Sequence, residues 1–224
     1  TAIGAYAADA ATDATLLTAV GYNSLGAVIG GLENTGIGYD AGRSITTGDY
    51  NTALGSQALS VSNADALRNT AIGSGSMSAG LCVNDNTAVG YNSLKAFESI
   101  DATAVGAYAA AAATSAGGLV AIGKEALNNC TTGNQNTAVG SNSLKAGTTS
   151  IVGNVAVGYS AGRHTVGTYN VYVGNEAGYY GSGADDCVAV GRNALKGVGG
   201  TTVASCVKDG TTTITRVSAS AVIA

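Results

Sequence analysis

A Thr-Ala-(Val/Ile)-Gly unit returns every seventeen residues along this chain, and no other feature constrains its fold as tightly. Twelve glycines mark the beat: Gly4, Gly21, Gly38, Gly55, Gly73, Gly90, Gly106, Gly123, Gly140, Gly158, Gly174 and Gly191. Successive gaps of 16, 17 or 18 residues cancel to a mean of 17. A fixed period of this size belongs to stacked repeats, in which each unit buries its apolar surface against the next. Seventeen residues is too short for a pair of helices but fits a coil of short strands and turns. The sequence therefore predicts an all-β parallel solenoid.

Alignment on the glycines resolves the repeat into columns. The residue before each beat glycine is Val, Ile or Leu in all twelve units, from Ile3 through Val139 to Val190. Two before it stands Ala in ten units, with Gly36 and Tyr172 as exceptions. Three before it stands Thr in eight units and Val in four. β-Branched residues beside a short Ala-Val unit favour a strand, and the glycine permits a tight corner after it. Four before it stands Asn in seven units: Asn34, Asn51, Asn69, Asn86, Asn136, Asn154 and Asn170. Asn side chains stacked at one rung spacing hydrogen-bond along the stack, so this column reads as a structural ladder.

Strand alternation sends the Thr and Val columns to one face, and the Ala and Gly columns to the other. With the Val/Ile columns inside, Val139→Asp is expected to place a charge in a dry column and break the stack locally. The other face is also uncharged. At about 4.8 Å per rung it makes a stripe on the order of 55 Å long. Exposed apolar stripes of that size mark interfaces, and neighbouring chains are the expected cover.

The repeat defines one solenoid domain over residues 1–200. After Gly191 the pattern decays: a thirteenth beat falls on Lys208, where Ser205-Cys206-Val207 imitates the unit without its glycine. Residues 201–224 read as a degenerate rung followed by an extended strand that caps the stack or links subunits. A formal net charge of -4 with 11% charged residues leaves no basic surface for a phosphate backbone, so nucleic acid is not an expected partner. No apolar run approaches the roughly 18 residues that cross a bilayer, so membrane insertion is not expected either. Cys82 and Cys130 lie almost three rungs apart, roughly 14 Å along a stack, beyond disulfide reach. Cys187 and Cys206 are 19 residues apart and borderline. The four cysteines read as small buried apolar residues.

Catalytic chemistry is not evident. His164, the one histidine, follows Arg163 in a surface turn, and no nucleophile–base–acid set can be assembled around it. Residues 181–186, Gly-Ser-Gly-Ala-Asp-Asp, offer carboxylates and carbonyls in a single copy, which reads as a polar glycine turn. No cofactor and no metal is expected. Recognition has better candidates. Tyr22, Tyr39, Tyr91 and Tyr159 each follow a beat glycine, while Tyr169, Tyr172, Tyr179 and Tyr180 crowd near Arg163 and His164. Tyrosine offers a flat apolar face with a polar tip, suited to a sugar or protein surface. The expected receptor or glycan contacts are Tyr159, Arg163, His164, Tyr169, Tyr172, Tyr179 and Tyr180. The competing reading is that the rings only cover the glycine corners.

The unit Asn-Thr-Ala-Val-Gly-Tyr-Asn-Ser-Leu at residues 86–94 resembles the head repeats of trimeric autotransporter adhesins. It is equally similar to the repeat arrays of bacteriophage tail fibres. The resemblance covers residues 1–195 and implies a left-handed parallel β-roll, three chains side by side, displayed on a cell surface or a virion. Adhesin heads have a shorter repeat and continue into a neck, stalk and anchor; the phage fibres often end in a self-cleaving chaperone domain. None of these is recognised here, which fits a processed or partial chain. The expectation is a non-enzymatic extracellular fibre of about twelve rungs that acts in adhesion or receptor binding as a homotrimer. A self-assembling filament joined head to tail is the alternative, and a polysaccharide-processing enzyme comes after it.

Overall fold

The computed structural model describes residues 1–146, 151–181 and 185–197, and in it the chain is an all-β parallel solenoid. The predicted terminal segment 201–224 lies outside the described residues. In chain order the strands are β1 (Ala2–Ile3), β2 (Thr18–Val20), β3 (Thr35–Ile37), β4 (Thr52–Leu54), β5 (Ser62–Leu67), β6 (Thr70–Ile72) and β7 (Cys82–Asn84). They continue as β8 (Thr87–Val89), β9 (Thr103–Val105), β10 (Val120–Ile122), β11 (Thr137–Val139), β12 (Val155–Val157), β13 (Val171–Val173) and β14 (Val188–Val190). Twelve of them, one per beat glycine, make a single parallel sheet; β5 and β7 pair separately beside it.

Register keeps like on like. Ala121 of β10 pairs with Ala138 of β11, which pairs with Ala156 of β12, and the flanking Thr/Val and Val/Ile positions follow. The 16- and 18-residue gaps leave this register intact, so their extra or missing residue is absorbed in the turns. Backbone bonding continues beyond the strands. Gly123 N–H donates to Val105 O at 2.7 Å, Glu125 N–H to Ala107 O at 2.9 Å and Leu127 N–H to Ser143 O at 3.0 Å. Each of these bonds runs to the rung above or below, about one period away in sequence.

The strand face that lines the interior is the Ala face. Ala19, Ala53, Ala71, Ala88, Ala104, Ala121, Ala138 and Ala156 are fully buried. The Val/Ile column points outward, which corrects the expectation that it fills the core: Ile37, Leu54, Val105, Ile122 and Val157 are 37% to 42% exposed. The physical reason is width. A rung of seventeen residues encloses a narrow interior, and Leu25, Leu59, Met77, Leu94, Leu127 and Leu144, four residues after their glycines, already fill it from the opposite side. Only Ala fits against them.

Closing so tight a coil needs corners that bend the wrong way for L-residues. Twenty-nine non-glycine residues hold positive φ, recurring two and four residues after the beat glycine and five before it. Leu59, Leu94, Leu127 and Leu144 are among them, with φ between 46° and 52°. Such a conformation costs on the order of 1 kcal/mol per residue, offset here by axial hydrogen bonds and by burial of the leucines. The beat glycine is stricter. Gly106 has φ +134°, and a Cβ there would lie 2.6 Å from the carbonyl oxygen of Gly123 one rung on. Conformation and axial packing both exclude a side chain.

Candidate binding surfaces

The Asn column is wholly internal. Asn34, Asn51, Asn69, Asn86, Asn136, Asn154 and Asn170 are fully buried. Each Oδ1 shown accepting takes the backbone N–H one rung on: Asn51 N–H donates to Asn34 Oδ1 at 2.9 Å, and Asn170 N–H to Asn154 Oδ1 at 2.9 Å. The amide groups also link directly, Asn51 Nδ2 donating to Asn34 Oδ1 at 3.0 Å and Asn170 Nδ2 to Asn154 Oδ1 at 2.9 Å. A second donation, such as Asn51 Nδ2 to Ala66 O at 2.7 Å, ties the column to the far wall. Buried Ala102 and Leu119 occupy this column between Asn86 and Asn136, so the ladder comes in two runs.

A second polar column escaped the sequence reading. Asp49, Asn84, Asn134 and Asp185, six residues before their glycines, reach back one rung to backbone N–H groups. Leu32 N–H donates to Asp49 Oδ1 at 2.8 Å, and Thr168 N–H to Asp185 Oδ1 at 2.7 Å. Thr168 Oγ1 also donates to Asp185 Oδ1 at 3.0 Å, which gives that carboxylate a structural task. Among the described residues no group of three His, Cys, Asp or Glu side chains could hold a metal ion. The signal, Asp or Asn at a fixed offset, was present in four of eleven rungs and diluted by Leu67, Ile100 and Val152.

The expected receptor set divides over three parts of the rung. Tyr172 leaves it: at 1% exposure it is a core residue standing in the Ala column. Glycine replaces the usual Leu beside it. A Cβ on Gly178 would lie 2.2 Å from the Tyr172 ring, and one on Gly162 2.7 Å. Burial pushes the Tyr172 phenol above its ordinary range, and neither its hydroxyl nor that of Thr165 completes a hydrogen bond among the described residues. Tyr159 and Tyr169 are exposed, at a glycine corner and at a left-handed corner respectively. Tyr22, Tyr39 and Tyr91 share Tyr159's column; Tyr22 stacks on Tyr39 with centroids 5.5 Å apart, and Tyr91 meets Tyr108 edge-on at 5.2 Å.

Arg163, His164, Tyr179 and Tyr180 do come together. The His164 ring stacks on Tyr180 at 5.3 Å and 13°, and Tyr179 stands edge-on to both, 5.2 Å from His164 and 4.6 Å from Tyr180. Arg163 Cζ lies 5.8 Å from the Tyr179 centroid, and Lys196 Nζ 5.9 Å from it. Burial, reinforced by the Arg163 charge, holds His164 below its ordinary pKa, so the ring is neutral at physiological pH. Lys196 pairs with Glu176 at 2.5 Å, and Lys145 pairs with Glu125.

Two further features complete the surface. The outward Thr and Val/Ile columns form an uncharged stripe along the twelve-stranded sheet. An open groove of about 620 Å³ lies where Gly117 and Gly118 leave a gap between Ile100–Asp101 and Asn134–Gln135. Cys130 is a buried free thiol whose pKa burial raises, and Cys187 is disulfide-bonded; Cys206 lies outside the described residues. Among the described residues no helix is long and apolar enough to cross a membrane. Comparison of the chain with protein-family models, curated proteins and solved structures finds no match.

Proposed function

We propose that the chain is a structural, non-enzymatic fibre protein, an extracellular solenoid rod of the tail-fibre or cell-surface-adhesin kind. It assembles as a homotrimer and presents its turn surface for adhesion. The observation that carries this reading is the outward stripe: short strands on twelve rungs, Thr or Val in one column and Val, Ile or Leu in the other, with no charge in either. A stripe on the order of 55 Å by 10 Å approaches one side of a standard protein interface, roughly 800 Å². Identical spacing on every copy lets a second and third chain meet it in register.

The turn surface remains available in such an assembly, because the columns carrying Arg163, His164, Tyr179 and Tyr180 are separated from the strand by two left-handed corners. The test is light scattering with negative-stain imaging of the purified chain. A discrete particle near 65 kDa, three times 21.6 kDa, supports the homotrimer. A monomer overturns it, and long filaments of constant width favour the head-to-tail polymer instead.

A further inference from the structure

We propose that the Arg163–His164–Tyr179–Tyr180 cluster binds a carboxylated saccharide, a uronic-acid type chain lying along the solenoid axis. The proposal rests on the reading of the protein as an adhesive rod and names the class of ligand that rod recognises.

Axial continuity is the first argument. Ala146 N–H donates to Arg163 O at 2.7 Å, His164 N–H to Tyr179 O at 3.0 Å and Tyr180 N–H to Lys196 O at 3.0 Å. These bonds stack Lys145, Arg163, Tyr179 and Lys196 as one column on consecutive rungs. His164 and Tyr180 form the next column beside it. The rung spacing is about 4.8 Å, and a pyranose unit in an extended chain advances by a similar length. A linear polysaccharide laid on these columns meets one rung with each sugar.

Charge is the second argument. Of the three cations in the column, Lys145 and Lys196 are held by Glu125 and Glu176. Arg163 has no ion pair among the described residues, and its buried Nε has no hydrogen-bond partner. Its guanidinium is planar and offers a fork of N–H donors, the geometry that takes a carboxylate through two parallel bonds. The buried Nε is closed to solvent, so a ligand carboxylate would meet the Nη groups of a half-buried arginine that no carboxylate among the described residues engages directly.

Shape is the third. His164 and Tyr180 are half-buried and stacked face to face, so their ring edges make a flat ridge two rungs long beside the guanidinium. The C–H face of a sugar ring packs on such a ridge while the carboxylate on its edge reaches Arg163. A nucleic-acid backbone would demand several uncompensated cations, and this column offers one.

The test is titration of the full chain with oligogalacturonate, using neutral dextran and sulfated dextran as comparators, at low and at physiological salt. Saturable binding to the uronate alone is expected. Arg163→Gln is expected to weaken it at least tenfold, and Tyr180→Ala several-fold, with both variants melting as the parent does. No uronate binding, equal binding to sulfated dextran, or an unaffected Arg163→Gln variant would each overturn the proposal. Particle mass separates the two readings. A discrete trimer that ignores uronate keeps the rod and removes the ligand; a monomer that binds uronate keeps the ligand and removes the rod.

Discussion

Ala138 and Val139 are neighbours on β11, yet they belong to different problems. Ala138 is fully enclosed between Ala121 and Ala156, and its size is set by how little room the coil leaves. Val139 points outward, flanked by Ile122 and Val157, and nothing among the described residues covers this column of branched apolar residues. One column is fixed by the fold of the single chain; the other is the one that the proposed assembly would cover. A smaller residue can therefore be the more deeply committed one.

The strongest way to break this contrast is to place the same charge in each column. Ala138→Asp buries a carboxylate with no partner, and several kcal/mol of lost stability is expected, read as a large fall in melting temperature. Val139→Asp should leave the melting of the isolated chain within about 1 kcal/mol while abolishing its association in light scattering. If Val139→Asp alone unfolds the chain, the inward and outward assignments are reversed.

Tyr172 tests the interior column where it is most irregular. Truncation to Ala should cost about 3–4 kcal/mol, because the ring fills space that Gly162 and Gly178 leave open. Adding Gly162→Leu to that variant should recover part of the loss, and calorimetry of the pair would show whether the two columns exchange volume. Asn51→Ala should cost about 2 kcal/mol in chemical denaturation, since it removes the acceptor of the Asn69 N–H and the donor to Ala66 O.

The smallest expected effect lies on the turn surface. The Lys145 ammonium, through its hydrogen bond, holds Glu125 below the usual carboxylate range. A depressed folded-state pKa contributes stability above the unfolded value and loses it as pH falls through the folded one. The melting of the parent and of Lys145→Met should differ by a few tenths of a kcal/mol at neutral pH and converge as pH falls from 4.5 through the lower folded-state value. A difference that persists in acid would assign the effect to packing of the lysine stem.

Periodicity made the rung, its register and the Asn column legible before any coordinates, because each is a property of identical residues stacked at a fixed interval. Which face of the strand turned inward was not legible. Hydrophobicity alone favours Val over Ala for a core, and only the narrowness of the coil reverses that preference. Corners were hidden for a different reason. Leu94 and Leu144 occupy left-handed positions that local propensity assigns to Gly or Asn, and axial bonding overrides it. Tyr172 looked like a recognition residue because aromatic crowding was read without the glycines that accommodate it. Gly162 and Gly178, where other rungs carry Leu, were the available signal.

Because each rung bonds only to its immediate neighbours, native partners sit roughly one period apart in a chain of 224 residues. That corresponds to a relative contact order of about 0.08, a value found in fast-folding helical bundles rather than in β-proteins. Such a chain closes only short loops at every step and can add rungs in the order in which they leave the ribosome. Damage is confined for the same reason: a defect in one rung opens its own neighbourhood and leaves distant rungs to hold.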